Sequence, residues 1–185
     1  SNSEYVTKVI DADRGLVDVQ VHADKTVQLD LSYYRDKVSK SKSCSRFFMV
    51  HGASGTGKTV FCSALSALIG ATHVTATPDP RVPRPLRQAH DYKYKEVART
   101  HFLTELEKLN DQAIILDEAD LSMTPFESVD QYIDALKHHH SIKLFILVTQ
   151  SSRHERVFST NPVGAAQNTI PTLLNMNLPG ARESF

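Results

Sequence analysis

The first regular pattern along the chain is an alternation of apolar and polar residues between Leu16 and Leu31. Three apolar residues stand on each side of the polar segment HADK: Val17, Val19 and Val21 before it, and Val27, Leu29 and Leu31 after it. A period of two places every second side chain on the same face of a β-strand. The segment is therefore predicted to be a β-hairpin.

After residue 45 the pattern changes to short apolar runs separated by stretches with helical spacing. Four segments predict strands, the first of them buried: RFFMVHG at 46–52, THVTAT at 72–77, QAIILDEAD at 112–120 and IKLFILVTQ at 142–150. Three stretches predict helices: GKTVFCSALSALIG at 57–70, VARTHFLTELEKLN at 97–110 and SVDQYIDALKHHH at 128–140. Fully apolar strands that alternate with helices are typical of a parallel sheet covered on both faces. The predicted fold class is α/β, a three-layer sandwich around a mainly parallel sheet, preceded by a small N-terminal β-hairpin.

A chain of 185 residues is long enough for one well-packed domain with a flank. We predict a hairpin and a basic linker at 1–45 and a core at 46–185, which is open to continuation at its C-terminal end. The linker includes the stretch from Arg35 to Arg46, with five positive charges and one negative charge. We interpret this stretch as a solvated connection, and contact with a phosphate backbone is the alternative.

The charge balance limits the classes of partner. Lysine plus arginine and aspartate plus glutamate both number 21, so no overall positive field attracts the chain to nucleic acid. Any such contact must be local. The two cysteines, Cys44 and Cys62, are too few for a disulfide framework, and Cys62 is expected to be a buried thiol. We therefore expect a reducing, cytoplasmic location. No apolar run reaches the ~18 residues of a membrane span, so a soluble domain is expected.

A glycine-rich turn joins the first buried strand of the core to its first helix. Its eight residues fit the pattern G-x-x-x-x-G-K-[ST] in full: Gly52, Ala53, Ser54, Gly55, Thr56, Gly57, Lys58 and Thr59. Glycines let the backbone wrap until successive N–H groups and the helix N-terminus face a phosphate. A purely structural glycine-rich loop is the alternative, and the flanking strand and helix disfavour it.

The last two residues of this turn predict its ligand. Lys58 is expected to reach the β- and γ-phosphates, in binding and in catalysis. The Thr59 hydroxyl is expected to ligate Mg²⁺. The turn from Gly52 to Thr59 is therefore predicted to bind ATP together with Mg²⁺.

A pair of acids, Asp117 and Glu118, follows the apolar run Ile114 to Leu116. At the tip of a buried strand, Asp117 is a candidate metal residue that holds the magnesium ion, and Glu118 is a candidate catalytic base for a water molecule. The spacing of 59 residues from Lys58 to Asp117 leaves room for a strand and a helix. This interval predicts that the strands before these two residues lie side by side. A charged helix start is the alternative interpretation of the acids.

Polar residues also end the fourth apolar run, at Thr149 and Gln150. Beside Asp117 they would hydrogen-bond the attacking water or the γ-phosphate, so both are candidate catalytic residues; an ordinary polar strand end is the alternative. Arg153 and Arg156 follow closely. Arg153 is a candidate arginine finger, although surface arginines near a loop are common.

Two further segments carry chemically suggestive residues. The loop PDPRVPRPLR at 78–87 is predicted to be extended and on the surface, either as a plain connector or as a contact to backbone phosphates. The histidines His138 to His140 do not predict zinc, because consecutive helical side chains point about 100° apart and cannot face one ion.

The phosphate-loop pattern, the pair Asp117–Glu118 and the strand end Thr149–Gln150 together resemble the additional-strand, catalytic-glutamate division of P-loop NTPases. The resemblance covers Phe47 to Gln150. That division includes the AAA+ proteins, the FtsK-HerA translocases and the superfamily 1 and 2 helicases. The resemblance implies a RecA-like fold and ATP hydrolysis coupled to movement of a polymer or remodelling of a partner. It also implies a homo-oligomeric ring or a second RecA-like lobe.

The resemblance extends to two branches of this division. ALKHHHSIKLFILVTQ and NTIPTLL are similar to segments of FtsK-HerA and Zot-like proteins, whereas HVTATPDPRVPRPLRQ and TQSSRHERVFSTNP are similar to superfamily 1 helicases of positive-strand RNA viruses. Those helicases carry Gly-Asp-x-x-Gln where this chain has Thr149-Gln150-Ser151-Ser152-Arg153. The aspartate and the final glutamine are missing here, and both branches stay open.

The leading functional hypothesis is an ATP-hydrolysing nucleic-acid motor. It would be a helicase or a translocase, in viral replication or genome packaging, and would act on DNA or RNA without reading sequence. The alternative is a nucleotide-dependent assembly or regulatory module with slow hydrolysis, motivated by the hairpin and the neutral charge. A small-molecule kinase is a distant third, because no acceptor site or lid is identified.

Overall fold

The computed structural model describes residues 10–11, 15–22, 25–40, 47–75, 92–109, 113–139, 144–150 and 170–177. The N-terminal sheet is antiparallel with the order β1-β2-β3, where β1 is Ile10–Asp11, β2 is Leu16–His22 and β3 is Lys25–Asp30. We call these three strands the N-terminal ribbon. Val19 on β2 pairs with Val27 on β3. The predicted hairpin is confirmed, with β1 as a short addition.

A helix follows the ribbon where a linker is predicted. Helix α1, Leu31–Lys40, begins directly after β3. The linker prediction is therefore wrong for residues 35–40. Leu31 and Tyr34, three residues apart, are both buried, and the Tyr34 ring packs edge-on against Phe61 at 5.0 Å between ring centroids. This apolar contact stabilises a helix whose remaining positions are mostly charged or polar.

The central sheet has five strands, all parallel, in the order β5-β6-β7-β4-β8. Its strands are β4 Phe47–His51, β5 Thr72–Thr75, β6 Ala113–Asp117, β7 Leu144–Thr149 and β8 Thr172–Asn175. The prediction that β4 and β6 lie side by side is wrong, because β7 lies between them. Phe145 on β7 pairs with Phe47 on one side and with Ile114 on the other. Nearly every residue of β7 is buried, which suits a central strand covered on both faces.

Four helices accompany this sheet in the described ranges: α2 Lys58–Ile69, α3 Tyr92–Glu107, α4 Ala119–Met123 and α5 Val129–His139. Helices α2, α3 and α5 confirm the three predicted ones. Helix α2 ends as predicted at Gly70, which has a φ of +71° and donates its N–H to the Ser66 carbonyl. Strand β8 is not predicted, because it has only four residues and no clear period. Helix α4 begins directly after Glu118, where the alternative interpretation of the acids as a charged helix start places a helix.

Side chains of the central strands alternate between two hydrophobic clusters. The first cluster, which we call the ribbon face, joins the N-terminal ribbon, α1 and α2 to the sheet and includes Val17, Val19, Tyr34, Phe48, Phe61 and Ile115. The second, which we call the helical face, joins α3, α4 and α5 to the sheet and includes Phe47, Leu106, Ile114, Met123, Phe126 and Tyr132. The α/β fold class is thereby confirmed, as a RecA-like arrangement of helices on a parallel sheet with a small antiparallel hairpin.

Packing on the ribbon face crosses the predicted domain boundary. Val19 of the ribbon and Phe61 of α2 belong to one cluster, while the division into 1–45 and 46–185 stays a prediction. Cys62 is fully buried in the same cluster, which confirms the expected buried thiol, and burial raises the pKa of that thiol. Within the described ranges, no helix is both long and apolar enough to cross a membrane.

Candidate functional site

A cavity of about 360 Å³ opens at the carboxyl ends of the central strands. Twelve residues line it: Gln20, Ser54, Gly55, Gly57, Lys58, Thr59, Val60, Asp117, Glu118, Val148, Thr149 and Gln150. The carboxyl edge is where parallel α/β sheets bind ligands. The structure therefore brings the phosphate loop, both acids and the polar end of β7 to one cavity.

The loop between β4 and α2 needs glycine at specific positions. Gly55 and Gly57 have φ angles of +82° and +92°, in the left-handed region that favours glycine. A Cβ at Gly52 would lie 2.7 Å from the Met176 Cβ, so a larger residue there would displace the neighbouring chain. The Thr56 hydroxyl donates to the Ala53 carbonyl at 2.7 Å and closes the turn. The backbone thus forms a tight, defined cradle.

The end of β7 and the two residues after β8 hold the start of this loop from the side. The Gly52 N–H donates to the Thr149 carbonyl at 3.2 Å. The Ala53 N–H donates to the Asn177 side-chain oxygen at 2.7 Å, and the Met176 N–H donates to the His51 carbonyl at 2.7 Å. Residues far apart in sequence therefore fix the start of the phosphate loop.

The Lys58 ammonium group lies inside the loop. It donates to the carbonyl oxygens of Gly52 and Ala53, the latter at 2.8 Å, and only 8% of the residue is exposed. Burial lowers the pKa of Lys58, and the negative charge of Asp117 offsets part of that effect. A cation held over loop carbonyls is placed to exchange them for phosphate oxygens.

Asp117 lies within hydrogen-bond distance of the phosphate loop. Its Oδ2 accepts from the Thr59 hydroxyl at 3.0 Å and lies 2.9 Å from His73 Nε2, and its Oδ1 accepts the Glu118 N–H at 3.0 Å. Burial raises the pKa of this carboxyl, but the hydrogen bonds from His73, Thr59 and the Glu118 N–H, together with the electrostatic effect of His73, lower it by more, so the pKa lies below its ordinary value. Asp117 is thus held as a carboxylate.

Glu118 has an unusual backbone. Its φ of +51° is the only positive φ of a non-glycine residue in the described ranges. The left-handed conformation costs a residue with a Cβ about 1–2 kcal/mol, and such strain is concentrated at functional sites. Glu118 is exposed at the cavity edge and precedes α4, so its carboxylate can reach the cavity.

Thr149 and Gln150 end β7 beside Asp117, on the strand adjacent to β6. Thr149 is fully buried, and its hydroxyl has no hydrogen-bond partner among the described residues. A buried hydroxyl without a partner is costly unless a ligand or water satisfies it. Gln150 is exposed, and its N–H donates to the Asp120 carboxylate at 2.8 Å, which ties the end of β7 to α4.

The N-terminal ribbon contributes a residue that the sequence patterns do not predict. Gln20 on β2 lines the cavity. A Cβ built on Gly57 would lie 2.9 Å from the Val19 Cβ and 3.0 Å from the Gln20 nitrogen, so the ribbon lies directly against the phosphate loop. His73 is the second unpredicted residue. Neither belongs to a local motif, and only the tertiary fold brings them to the site.

The oxygen donors present fit a magnesium ion with a nucleotide. In the described ranges, no cluster of three His, Cys, Asp or Glu side chains could hold a metal ion. Mg²⁺ is commonly held by one or two protein oxygens and by the phosphates of its ligand. The Thr59 hydroxyl and the Asp117 carboxylate, 3.0 Å apart at the mouth of the glycine cradle, match that donor set.

Several predicted residues lie outside the described residues. These are Arg153, Arg156, His140 and the proline- and arginine-rich loop at 78–87. His138 lies in α5 and is exposed. The roles of all these residues stay predictions.

No family model matches the chain, and no curated protein matches it. Solved structures to which this chain is similar include a DNA replication initiation factor, at 15% identity and a TM-score of 0.38, over 67% of this chain and 38% of that one. They also include the ORC2 protein of Aeropyrum pernix, at 16% identity and a TM-score of 0.40, over 77% of this chain and 44% of that one. This chain thus spans less than half the length of either protein.

Proposed function

We propose that this chain is a nucleoside triphosphatase that binds ATP with Mg²⁺ and hydrolyses it. The hydrogen bond from Thr59 to Asp117 is the observation that supports this most directly. It joins the hydroxyl at the end of the phosphate loop to the carboxylate at the end of β6. Such a pair of oxygens next to a glycine-wrapped anion cradle suits a nucleotide phosphate chain with a divalent cation.

In nucleotide binding, the loop and Lys58 act together. Backbone N–H groups of the loop donate hydrogen bonds to the phosphate oxygens. Lys58 gives up its hydrogen bonds to the carbonyl oxygens of Gly52 and Ala53 and donates instead to the β- and γ-phosphates. Thr59 and Asp117 would hold Mg²⁺, which when bound neutralises charge on the phosphate oxygens. Residues Ser54 and Gly55 line the cavity and complete the cradle.

In hydrolysis, the residues at the other side of the cavity act on water. Glu118 accepts a proton from a water molecule aligned with the γ-phosphate. Thr149 and Gln150 donate hydrogen bonds to that water or to the γ-phosphate, and the hydroxyl of Thr149 is available for such a bond. Arg153 is proposed as an arginine finger, in this subunit or in a neighbouring one.

Two variants test the triphosphatase. Lys58→Ala should weaken ATP binding roughly 10- to 100-fold, because it removes charge-assisted hydrogen bonds. Glu118→Gln should keep the Kd within about twofold but lower kcat roughly 10²- to 10⁴-fold, because it removes the base. Fluorescent-nucleotide titration and phosphate release measure the two quantities.

Glu127→Gln is the matched control for the second variant, because Glu127 is an exposed glutamate outside the cavity lining. It should hydrolyse ATP like the wild type. Full turnover by Glu118→Gln would remove Glu118 from its proposed role, and absence of nucleotide binding by the wild type would refute the triphosphatase itself.

We further propose that ATP turnover drives movement along nucleic acid, as in a helicase or a translocase. Strand β7 lies as an additional strand between β4 and β6, in keeping with the division of P-loop NTPases that the sequence resembles. The viral superfamily 1 helicases and the FtsK-HerA group are the two proposed branches. Exposed Lys40 on α1 offers local positive charge for a phosphate backbone, whereas the charge of Arg35 on the same helix is offset by Asp36 at 3.3 Å.

The motor proposal is tested by measuring ATP turnover with single-stranded and duplex DNA and RNA. At least one of these should raise kcat, and the effect should weaken as salt is added. If no nucleic acid changes turnover of an active triphosphatase, the motor is refuted while the triphosphatase stands.

Nucleotide-dependent assembly is the second candidate. The observation that favours it is the contact of Val19 and Gln20 with Gly57, which couples the ribbon to the phosphate loop. A ligand in the loop would bias the position of the ribbon and any partner bound to it. Size measurement with and without a non-hydrolysable ATP analogue tests this, and an unchanged oligomeric state counts against it.

A further inference from the structure

His73 connects two elements of the site from outside the cavity lining. It lies on β5, an edge strand of the central sheet, opposite Ile115 of β6. Its Nε2 lies 2.9 Å from Asp117 Oδ2, and its Nδ1 lies 3.2 Å from the Ser63 hydroxyl on α2. The imidazole therefore bridges the helix that begins with Lys58 and the strand that ends with Asp117.

The hydrogen-bond partners assign the proton positions on this bridge. A carboxylate only accepts, so His73 Nε2 carries the proton that it donates to Asp117 Oδ2. In the neutral ring Nδ1 is then an acceptor, and the Ser63 hydroxyl donates to it. The Thr59 hydroxyl donates to the same Oδ2.

Both oxygens of Asp117 are consequently fixed. Oδ2 accepts hydrogen bonds from His73 Nε2 and the Thr59 hydroxyl, and Oδ1 accepts one from the Glu118 N–H at 3.0 Å. With these donors the carboxylate plane has little freedom to rotate. Ser63 stands one helical turn after Thr59, so a ring of side chains runs from α2 through β5 to β6 and back to α2.

We propose that His73 is a positioning residue for the magnesium site, which holds the Asp117 carboxylate towards Thr59 in the orientation that accepts the cation. This inference rests on the proposed function. Groups that orient a ligating side chain typically change metal affinity by 10- to 100-fold when they are removed. A residue that only joins β5 to α2 would change stability and leave metal affinity unchanged.

The test compares nucleotide binding with EDTA and across a Mg²⁺ titration, with a fluorescent ATP analogue and purified protein. His73→Leu should bind nucleotide like the wild type in EDTA, within about twofold. Its half-saturating Mg²⁺ concentration should rise roughly 10- to 100-fold. His73→Gln, whose amide nitrogen can reach the place of Nε2, should recover most of that loss.

Ser63→Ala is a milder variant that keeps the imidazole and removes only its outer hydrogen bond. It should raise the half-saturating Mg²⁺ concentration by about two- to fivefold, which corresponds to the loss of one neutral hydrogen bond. Thermal melting of all three variants shows whether they are folded. If His73→Leu does not fold, the Ser63→Ala titration decides.

Unchanged Mg²⁺ dependence in the folded variants would overturn the proposal, as would an equal loss of binding in EDTA and in Mg²⁺. The same conclusion follows if His73→Gln is as impaired as a folded His73→Leu. Failure of the wild type to bind nucleotide under any condition would instead refute the proposed function and this inference together.

Discussion

The two faces of the central sheet support different parts of the site. On the ribbon face, α2 begins with Lys58 and Thr59, and its side chains pack with the N-terminal ribbon. On the helical face, α4 begins directly after Glu118, and its Ser122 hydroxyl lies 2.8 Å from the Tyr132 hydroxyl of α5. The groups proposed to bind phosphate thus have their support on one face, and the proposed base has its support on the other.

This difference suggests that binding and hydrolysis can be perturbed separately. The ribbon face joins segments from the beginning of the described chain to the phosphate loop. The helical face instead contains an aromatic group in which the Phe126 ring lies edge-on to Tyr132 at 5.2 Å and to Phe102 at 6.3 Å. Damage to the first should weaken nucleotide affinity, and damage to the second should slow turnover.

The largest effect is expected for Phe61→Ala. Phe61 is fully buried on α2 and packs against Tyr34. Loss of the ring should cost about 3–5 kcal/mol in the free energy of unfolding, and it should also weaken ATP binding because α2 carries the loop. Chemical denaturation and nucleotide titration measure the two effects.

Phe126→Ala is the matched variant on the helical face. It should be comparably destabilised, while its ATP affinity stays closer to that of the wild type and its kcat falls. Equal losses of affinity in both folded variants would contradict the separation of the two faces.

Gly57→Ala should have the next largest effect. Alanine at a φ of +92° costs about 1–2 kcal/mol, and its Cβ would also press on Val19 and Gln20 of the ribbon. Gly55→Ala is the control, since Gly55 has a similar φ of +82° but no atom within 4 Å of an added Cβ.

The difference between these two variants isolates the contact with the ribbon. Gly57→Ala should lose roughly 1–3 kcal/mol more stability than Gly55→Ala, the range expected for overpacking. Thermal or denaturant unfolding measures it. Equal losses of stability in the two variants would show that the ribbon moves away from the added methyl group at no energetic cost and does not restrain the loop.

The parts of the site that the sequence predicts are local motifs, whereas the parts that it does not predict come from distant segments of the chain. The phosphate loop is a continuous pattern of eight residues, and the apolar run before Asp117 is equally local, so both are visible along the chain. Gln20 and His73 reach the site only through the packing of the ribbon and the pairing of β5 with β6. No local pattern marks them.

Strand order and backbone strain depend on the same long-range contacts. The apolar runs predict β4, β6 and β7, but nothing in them shows that β7 lies in the middle. Helix α1 is hard to recognise in the sequence, because charged residues follow Leu31 and only Leu31 and Tyr34 of its ten residues are buried. The left-handed φ of Glu118 is a property of the turn between β6 and α4 that residue identity does not reveal.

Tyr132→Phe is a milder perturbation of the helical face. The buried Tyr132 hydroxyl lies 2.8 Å from that of Ser122, which in turn donates to the Ala119 carbonyl at the start of α4. Loss of this bond should cost about 1 kcal/mol of stability. Because α4 follows Glu118 directly, kcat should fall more than ATP affinity. Stopped-flow measurements of ATP binding and of hydrolysis give the affinity and kcat. A change in affinity with no change in kcat would contradict the idea that the helical face supports Glu118.

The smallest effect is expected for Gln20→Ala, which tests whether the ribbon itself touches the nucleotide. Gln20 lines the cavity from the ribbon side, and loss of one neutral hydrogen bond to a ligand costs about 0.5–1.5 kcal/mol, or roughly two- to tenfold in Kd. Gln28→Ala is the control, because Gln28 is exposed on the same ribbon and pairs with Asp18 away from the cavity lining. A rise in Kd for Gln20→Ala alone, with kcat unchanged, would place the ribbon in binding and not in hydrolysis. Equal Kd values for Gln20→Ala and Gln28→Ala would show that the ribbon packs against the loop without contacting the nucleotide.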